Sequence, residues 1–219
     1  MLARRELSAI SLQPADEIYQ LLEGKGHKTA GLFAVITHPA ILDVVESVIG
    51  PEILAHPQFN ARARLPDRDE MVVPWHQDLG LLDPDAEDTF MVNFWIPLVD
   101  VSRQNGCLQV VPGSHKRGLM RHEVIDHHCL IPALEVPDDQ CVTCPLRVGD
   151  ALLFQHKTIH RSLPNRSGQV RWTLDLRYND HRLPTGRDWA AGFVARSRAE
   201  PQRVARSHLD WLTLMKTSA

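Results

Sequence analysis

The stretch Pro74-Trp75-His76-Gln77-Asp78 places an imidazole and a carboxylate two residues apart. On a β-strand alternate residues project to the same face, so both side chains can reach one ion. His160, far along the chain, offers a third ligand. Two histidines and one carboxylate on one face of a metal leave open coordination positions, a donor set that suits Fe(II) for oxygen chemistry. Each member taken alone also has an ordinary reading. A lone His-X-Asp is most often surface polar residues, His160 a half-buried hydrogen-bonded residue, Asp78 a cap on the turn into Leu79-Gly80. What sets them apart is the sequence around them.

At 219 residues the chain reads as one domain spanning 1–219 with a normal-sized core. Its 43% hydrophobic and 23% charged content is ordinary for a soluble globular protein. A formal net charge of -3 gives no electrostatic case for nucleic acid or an anionic membrane surface. Cys141-Val-Thr-Cys144 has CxxC spacing, but no second pair follows to close a zinc site, so both are read as strand cysteines. No apolar run at the start is long enough for a signal peptide, and nothing later is long enough to span a bilayer. The expectation is a reduced, cytoplasmic protein acting on a small molecule, without a nucleic-acid or membrane partner, its oligomeric state open.

The elements that must position the site follow from periodicity. Residues 14–24 read as a short helix, 24–28 as a loop, and 39–49 as a helix carrying Ile41, Leu42, Val45, Val48 and Ile49 on one stripe, stopped by Gly50-Pro51. From Glu52 the texture changes to short β-prone runs at 58–64, 71–78, 89–98, 107–111, 142–148, 151–155 and 170–178, separated by Pro-, Gly- and Asn-rich turns. Such spacing points to a mainly β sandwich or barrel. A final helix is expected near 201–215. In the last strand Val170, Trp172, Leu174, Leu176 and Tyr178 share one face, and Arg171, Thr173, Asp175 and Arg177 the other. The polar face meets either solvent or an internal ligand cavity.

His76-Gln77-Asp78, Phe94-Trp95-Ile96-Pro97-Leu98, Asn105-Gly106-Cys107-Leu108, Val111-Pro112-Gly113-Ser114-His115-Lys116, Gly149-Asp150, Phe154, His160-Arg161-Ser162, Asn165, Ser167 and Arg171 come in one order. In this register the chain resembles the phytanoyl-CoA dioxygenase family of Fe(II)/2-oxoglutarate-dependent oxygenases, from about Ile41 to Tyr178. The resemblance implies a double-stranded β-helix (a jelly-roll, cupin-like barrel) with flanking α-helices. It implies His76, Asp78 and His160 as iron ligands and catalytic centre, with 2-oxoglutarate as cosubstrate and O2 as oxidant. Arg171 falls where the family's arginine grips the distal carboxylate of 2-oxoglutarate, a task suited to a planar, always-charged guanidinium. Ser162 is placed to add a hydroxyl bond at that end, and Trp95 to wall the cosubstrate.

Upstream, Asn60, Arg62 and Arg64 occupy alternate positions of one strand, and Arg64 is the first of them to consider for the cosubstrate. The N-terminal part reads as short for the family. The implied reaction is hydroxylation of a small organic molecule coupled to decarboxylation of 2-oxoglutarate to succinate and CO2. The alternatives are a cupin-like metal-dependent isomerase or small-molecule binding protein, and an inactive family member. Neither the substrate nor its linkage to CoA is legible.

Overall fold

The computed structural model describes residues 28–125, 128–136, 138–187 and 192–217. The helix expected over 14–24 lies outside the described residues. Helix α1 (Ala30–Ile36) begins at Thr29, whose hydroxyl accepts a hydrogen bond from the Leu32 N–H at 3.2 Å. Its two turns are too few to show a readable stripe, and the sequence pattern does not reveal it. Helix α2 (Pro39–Ile49) has the expected bounds, with Pro39 in the first turn and Gly50 closing it at φ 85°. Leu42 and Val45 are buried and Ile41 and Ile49 pack beside them, whereas Val48, counted in the stripe, is exposed.

The strands are β1 (Ile53–Ala55), β2 (Asn60–Arg64), β3 (Val92–Pro97), β4 (Leu108–Val110), β5 (Glu123–Ile125), β6 (His128–Leu130), β7 (Val142–Cys144), β8 (Leu152–Gln155), β9 (His160–Ser162), β10 (Arg171–Asp180) and β11 (Phe193–Arg196). The larger sheet runs β11-β1-β10-β3-β8, and β2 shares with β1 the same edge of β10. A smaller sheet runs β7-β4-β9, and β5-β6 form a separate hairpin. The pairings are antiparallel, and with the helices flanking the larger sheet this is the expected jelly-roll.

β10 resolves the question its alternation left open. Leu174, Leu176 and Tyr178 join the core with Leu32 and Ile36 of α1 and Leu42 and Val45 of α2, and the Tyr178 hydroxyl donates to the Ile36 carbonyl at 2.9 Å. Arg171, Asp175 and Arg177 instead line an internal cavity between the two sheets. Burying a polar strand face demands partners, and that cavity is where they are found.

Two expectations need correction. Residues 71–78 are not a strand: Pro74 lacks the N–H a ladder needs, and short 3-10 turns occupy Asp69–Met71 and Asp78–Leu81. His76 pairs alone, in an isolated bridge with His160. The C-terminal helix α3 (His208–Thr217) starts at His208 rather than near 201, because Pro201–Arg203 forms its own 3-10 turn. Ser207 and Asp210 cap it reciprocally, through Asp210 N–H to Ser207 Oγ (3.3 Å) and Ser207 N–H to the Asp210 carboxylate (3.0 Å). Trp211 is its buried anchor, while Leu209 and Leu212 are exposed. β1, β5, β6, β9 and β11, of three or four residues each, fall outside the expected runs. No single helix among the described residues is long and apolar enough to cross a membrane.

Candidate metal centre

His76 and His160 meet because their backbones do: each N–H donates to the other's carbonyl at 3.0 Å. Gln77, between the two ligands of the tripeptide, is extended (φ -116°, ψ 137°), so the two-residue alternation survives locally although no strand forms. Asp78 is wholly buried, His76 and His160 nearly so, and one ligand atom from each lies within 4.8 Å of the other two. The imidazole centroids are 4.1 Å apart, and His76 Nε2 stands 3.6 Å from Asp78 Oδ1.

The second nitrogen of each ring is already committed. His76 Nδ1 faces the Pro74 carbonyl at 2.9 Å, and His160 Nδ1 the Thr158 carbonyl at 2.9 Å. A carbonyl only accepts, so each Nδ1 carries the proton and each Nε2 keeps its lone pair for a metal. Burial, and then the neighbouring His76, push the His160 imidazole down to about 3, which keeps it neutral and ligating. Burial pushes the Asp78 carboxyl up, but the paired Arg177 guanidinium opposes it foremost, and the group is held well below the usual carboxylate range. Two imidazoles and one carboxylate fit a divalent ion such as Fe(II) with positions left open.

Asp78 is held by residues the sequence reading placed without a role. Arg177 donates through Nη2 to Oδ1 (2.7 Å) and through Nε to Oδ2 (3.0 Å), and the Asn93 amide also donates to Oδ2. The signal available was position: Arg177 shares the inward face of β10 with Arg171. Gln77 fastens the turn from behind. Its amide donates to the Gly118 (2.8 Å) and Lys157 (2.6 Å) carbonyls, and its Oε1 accepts from the Met120 N–H (2.7 Å). Its backbone N–H donates to His122 Nε2 at 3.0 Å, while His122 Nδ1 faces the Met120 carbonyl. His122 and His156, which the sequence leaves unassigned, thus have structural partners; His156 Nδ1 accepts from the Met91 N–H at 3.3 Å.

The same cavity collects the residues named for the cosubstrate: Arg64, Trp95, Ser162 and Arg171, with Phe154 and Arg62 beside them. Arg171 is 1% exposed, donates to Thr173 Oγ1 at 3.0 Å, and leaves its Nε without a hydrogen-bond partner. Its guanidinium lies 5.4 Å from the Trp95 ring centre. Burial, then Arg64 directly across the strand pair, lower the Arg171 guanidinium to about 9. Two buried guanidiniums side by side make a pocket that favours an anion, and a carboxylate satisfies both charge and geometry. Ser162 Oγ accepts from the Val73 N–H (2.9 Å) and retains its own proton to donate. Arg62 is engaged by Asp175 at 2.6 Å, and Asn60, its strand neighbour, is not part of the lining.

Known proteins resemble this chain to differing extents. Residues 11–173 match the family described as phytanoyl-CoA dioxygenase (PhyH). The 1-deoxypentalenic acid 11-beta-hydroxylase of Streptomyces arenae is 31% identical over 155 residues, 64% of this chain and 54% of that protein. Phytanoyl-CoA dioxygenase 1 of Oryza sativa subsp. japonica is 32% identical over 134 residues, 60% of this chain and 46% of that protein. The chain thus spans about half the length of the curated relatives it matches. Among solved structures, the apo non-heme monooxygenase ThoJ superposes with TM-score 0.73 at 24% identity, covering 96% of this chain and 79% of that one. The epimerase SnoN, in complex with Fe3+, alpha ketoglutarate and nogalamycin RO, superposes with TM-score 0.58 at 26% identity over 72% of this chain and 63% of its own. With the family match covering residues 11–173, well over half of the sequence, the chain belongs to the phytanoyl-CoA dioxygenase (PhyH) family.

Proposed function

We propose that the protein is an Fe(II)- and 2-oxoglutarate-dependent dioxygenase that hydroxylates a small organic molecule. One O2 and one 2-oxoglutarate are consumed, one oxygen atom entering the substrate as hydroxyl and the other entering succinate, with release of CO2. The observation that carries this reading is that His76 and His160, clustered with the buried Asp78, line the same cavity as the buried Arg171 guanidinium.

In this reading His76, Asp78 and His160 hold the metal, which when bound supplies the activation of O2. Arg171 receives the distal carboxylate of 2-oxoglutarate, with Ser162 donating a hydroxyl bond at the same end and Arg64 adding charge. Trp95 and Phe154 wall the cavity and keep water from the reacting groups. The relatives support the oxygenase class more than any one substrate, since their names range from 1-deoxypentalenic acid 11-beta-hydroxylase to "Probable alpha-ketoglutarate-dependent hypophosphite dioxygenase". Four unpaired cysteines suit a reducing cytoplasmic setting.

The test is anaerobic visible spectroscopy of the metal-free protein titrated with Fe(II) and then 2-oxoglutarate. A weak charge-transfer band requiring both additions, and lost in Arg171→Ala, is expected. Metal uptake with no such band would instead favour a cupin-like metal-dependent isomerase or binding protein, for which Arg171 is dispensable.

A further inference from the structure

Asp78 offers about four lone-pair directions on its two carboxylate oxygens. Oδ2 receives both Arg177 Nε (3.0 Å) and the Asn93 amide, which occupies it fully. Oδ1 receives only Arg177 Nη2 (2.7 Å), and Oδ1 is the oxygen 3.6 Å from His76 Nε2. One direction therefore remains, on the side of the histidines. Asn93 and Arg177 face each other in register across the β3–β10 pair, so the larger sheet presents both donors at one point. The guanidinium is itself fixed from behind, Nη1 donating to the Gln58 carbonyl at 2.9 Å. Arg177 and Asn93 are both nearly inaccessible to solvent.

We propose that Arg177 and Asn93 form a clamp that restricts Asp78 to a single metal-binding oxygen and thereby keeps a coordination position open for the reaction. The clamp rests on the metal-site reading above and adds a reason for its geometry. An octahedral ion held by one atom from each of three side chains retains three positions. In the proposed reaction 2-oxoglutarate and O2 would together use those positions, and a carboxylate gripping with both oxygens would take one of them. Arg177 is a positioning residue in this scheme, acting through Asp78. Lysine is a poor substitute, because a point charge cannot satisfy both oxygens at once.

The experiment counts positions instead of turnovers. Mn(II) is added to the metal-free protein, and exchangeable waters on the ion are counted by water-proton relaxation. Wild type is expected to show three, Arg177→Gln two, and Arg177→Lys an intermediate value. Mn(II) affinity should hold or tighten in Arg177→Gln, since a neighbouring cation is removed and a second oxygen released. Affinity for 2-oxoglutarate on the Mn(II) protein should meanwhile fall by about 10–100-fold. That opposition distinguishes a clamp from a fold-supporting contact, which would weaken metal binding and thermal stability together with the water count unchanged. Should Arg177→Gln fail to fold, Asn93→Ala decides, because it frees Oδ2 on one side while leaving the ion pair. Variants that keep three waters overturn the clamp alone; wild type that takes up no Mn(II) overturns the metal reading and the clamp with it.

Discussion

His76 and His160 are joined by a reciprocal pair of backbone hydrogen bonds, 3.0 Å each way, although 84 positions (160 − 76) separate them in the chain. The bridge aligns the two backbones before any metal is considered. With each Nδ1 tied to the carbonyl two residues upstream, both imidazoles turn the same nitrogen toward Asp78. The ligand set is therefore organised by the fold itself, and the predictions below test what maintains it.

Asp78→Ala removes a proposed ligand and also leaves Arg177 buried without its carboxylate. Breaking a buried ion pair from one side costs about 3–5 kcal/mol. The metal-free variant should unfold at clearly lower urea than wild type and release no succinate in a substrate screen. Full turnover in this variant would overturn the site assignment.

Gly80 sits against His122 so closely that a Cβ there would lie 2.5 Å from the ring. The ring cannot simply yield, because it accepts from Gln77 N–H and faces the Met120 carbonyl. Gly80→Ala should therefore displace His122, orphan the Gln77 N–H and destabilise by about 1–3 kcal/mol. Gly168→Ala, with open space around it, is the control and should change stability by less than about 0.5 kcal/mol. Equal urea midpoints for the two variants would contradict this account of the turn.

Trp211 packs its ring against Phe59 and Phe193, both at 5.0 Å between centres, and ties α3 to the larger sheet. Trp211→Ala should cost about 3–5 kcal/mol, as for other buried aromatic truncations. Leu209→Ala, on the exposed side of the same helix, should stay within about 0.5 kcal/mol. Chemical denaturation of the pair checks the assignment of the buried face.

Glu52 accepts from Ser197 Oγ, from the Arg198 (3.0 Å) and Ala199 (3.1 Å) N–H groups, and pairs with His181 at 2.9 Å. The Ser197 hydroxyl foremost, opposed by burial and aided by His181 and the two backbone donors, holds its carboxyl down to about 2 from an ordinary 4.5. A depressed carboxyl stabilises the fold above its unfolded value, and that stabilisation disappears as pH falls through the folded one. Stability of wild type should thus decline between about pH 4.5 and pH 2, with a shallower slope in Glu52→Gln. Urea midpoints measured across that range read the difference; parallel slopes would remove Glu52 from the account.

The sequence by itself determined the features that repeat locally or carry unmistakable chemistry. Helix α2 declared both ends through Pro39 and Gly50-Pro51, and β10 declared its two faces through strict alternation. The order along the chain also singled out His76, Asp78 and His160, which the fold brings together, and Arg171, which lines the same cavity as the two histidines. Tertiary structure decided the rest, because it depended on register between distant segments. No local pattern shows that Arg177 and Asn93 converge on Asp78, since those contacts span 99 and 15 residues. Likewise the segment at 71–78 reads as β from composition, yet Pro74 and the turn at Asp78 leave it one bridge, and that bridge is what brings His76 to His160. Side-chain type announces what a residue can do; only the packing of two sheets fixes which partner it meets.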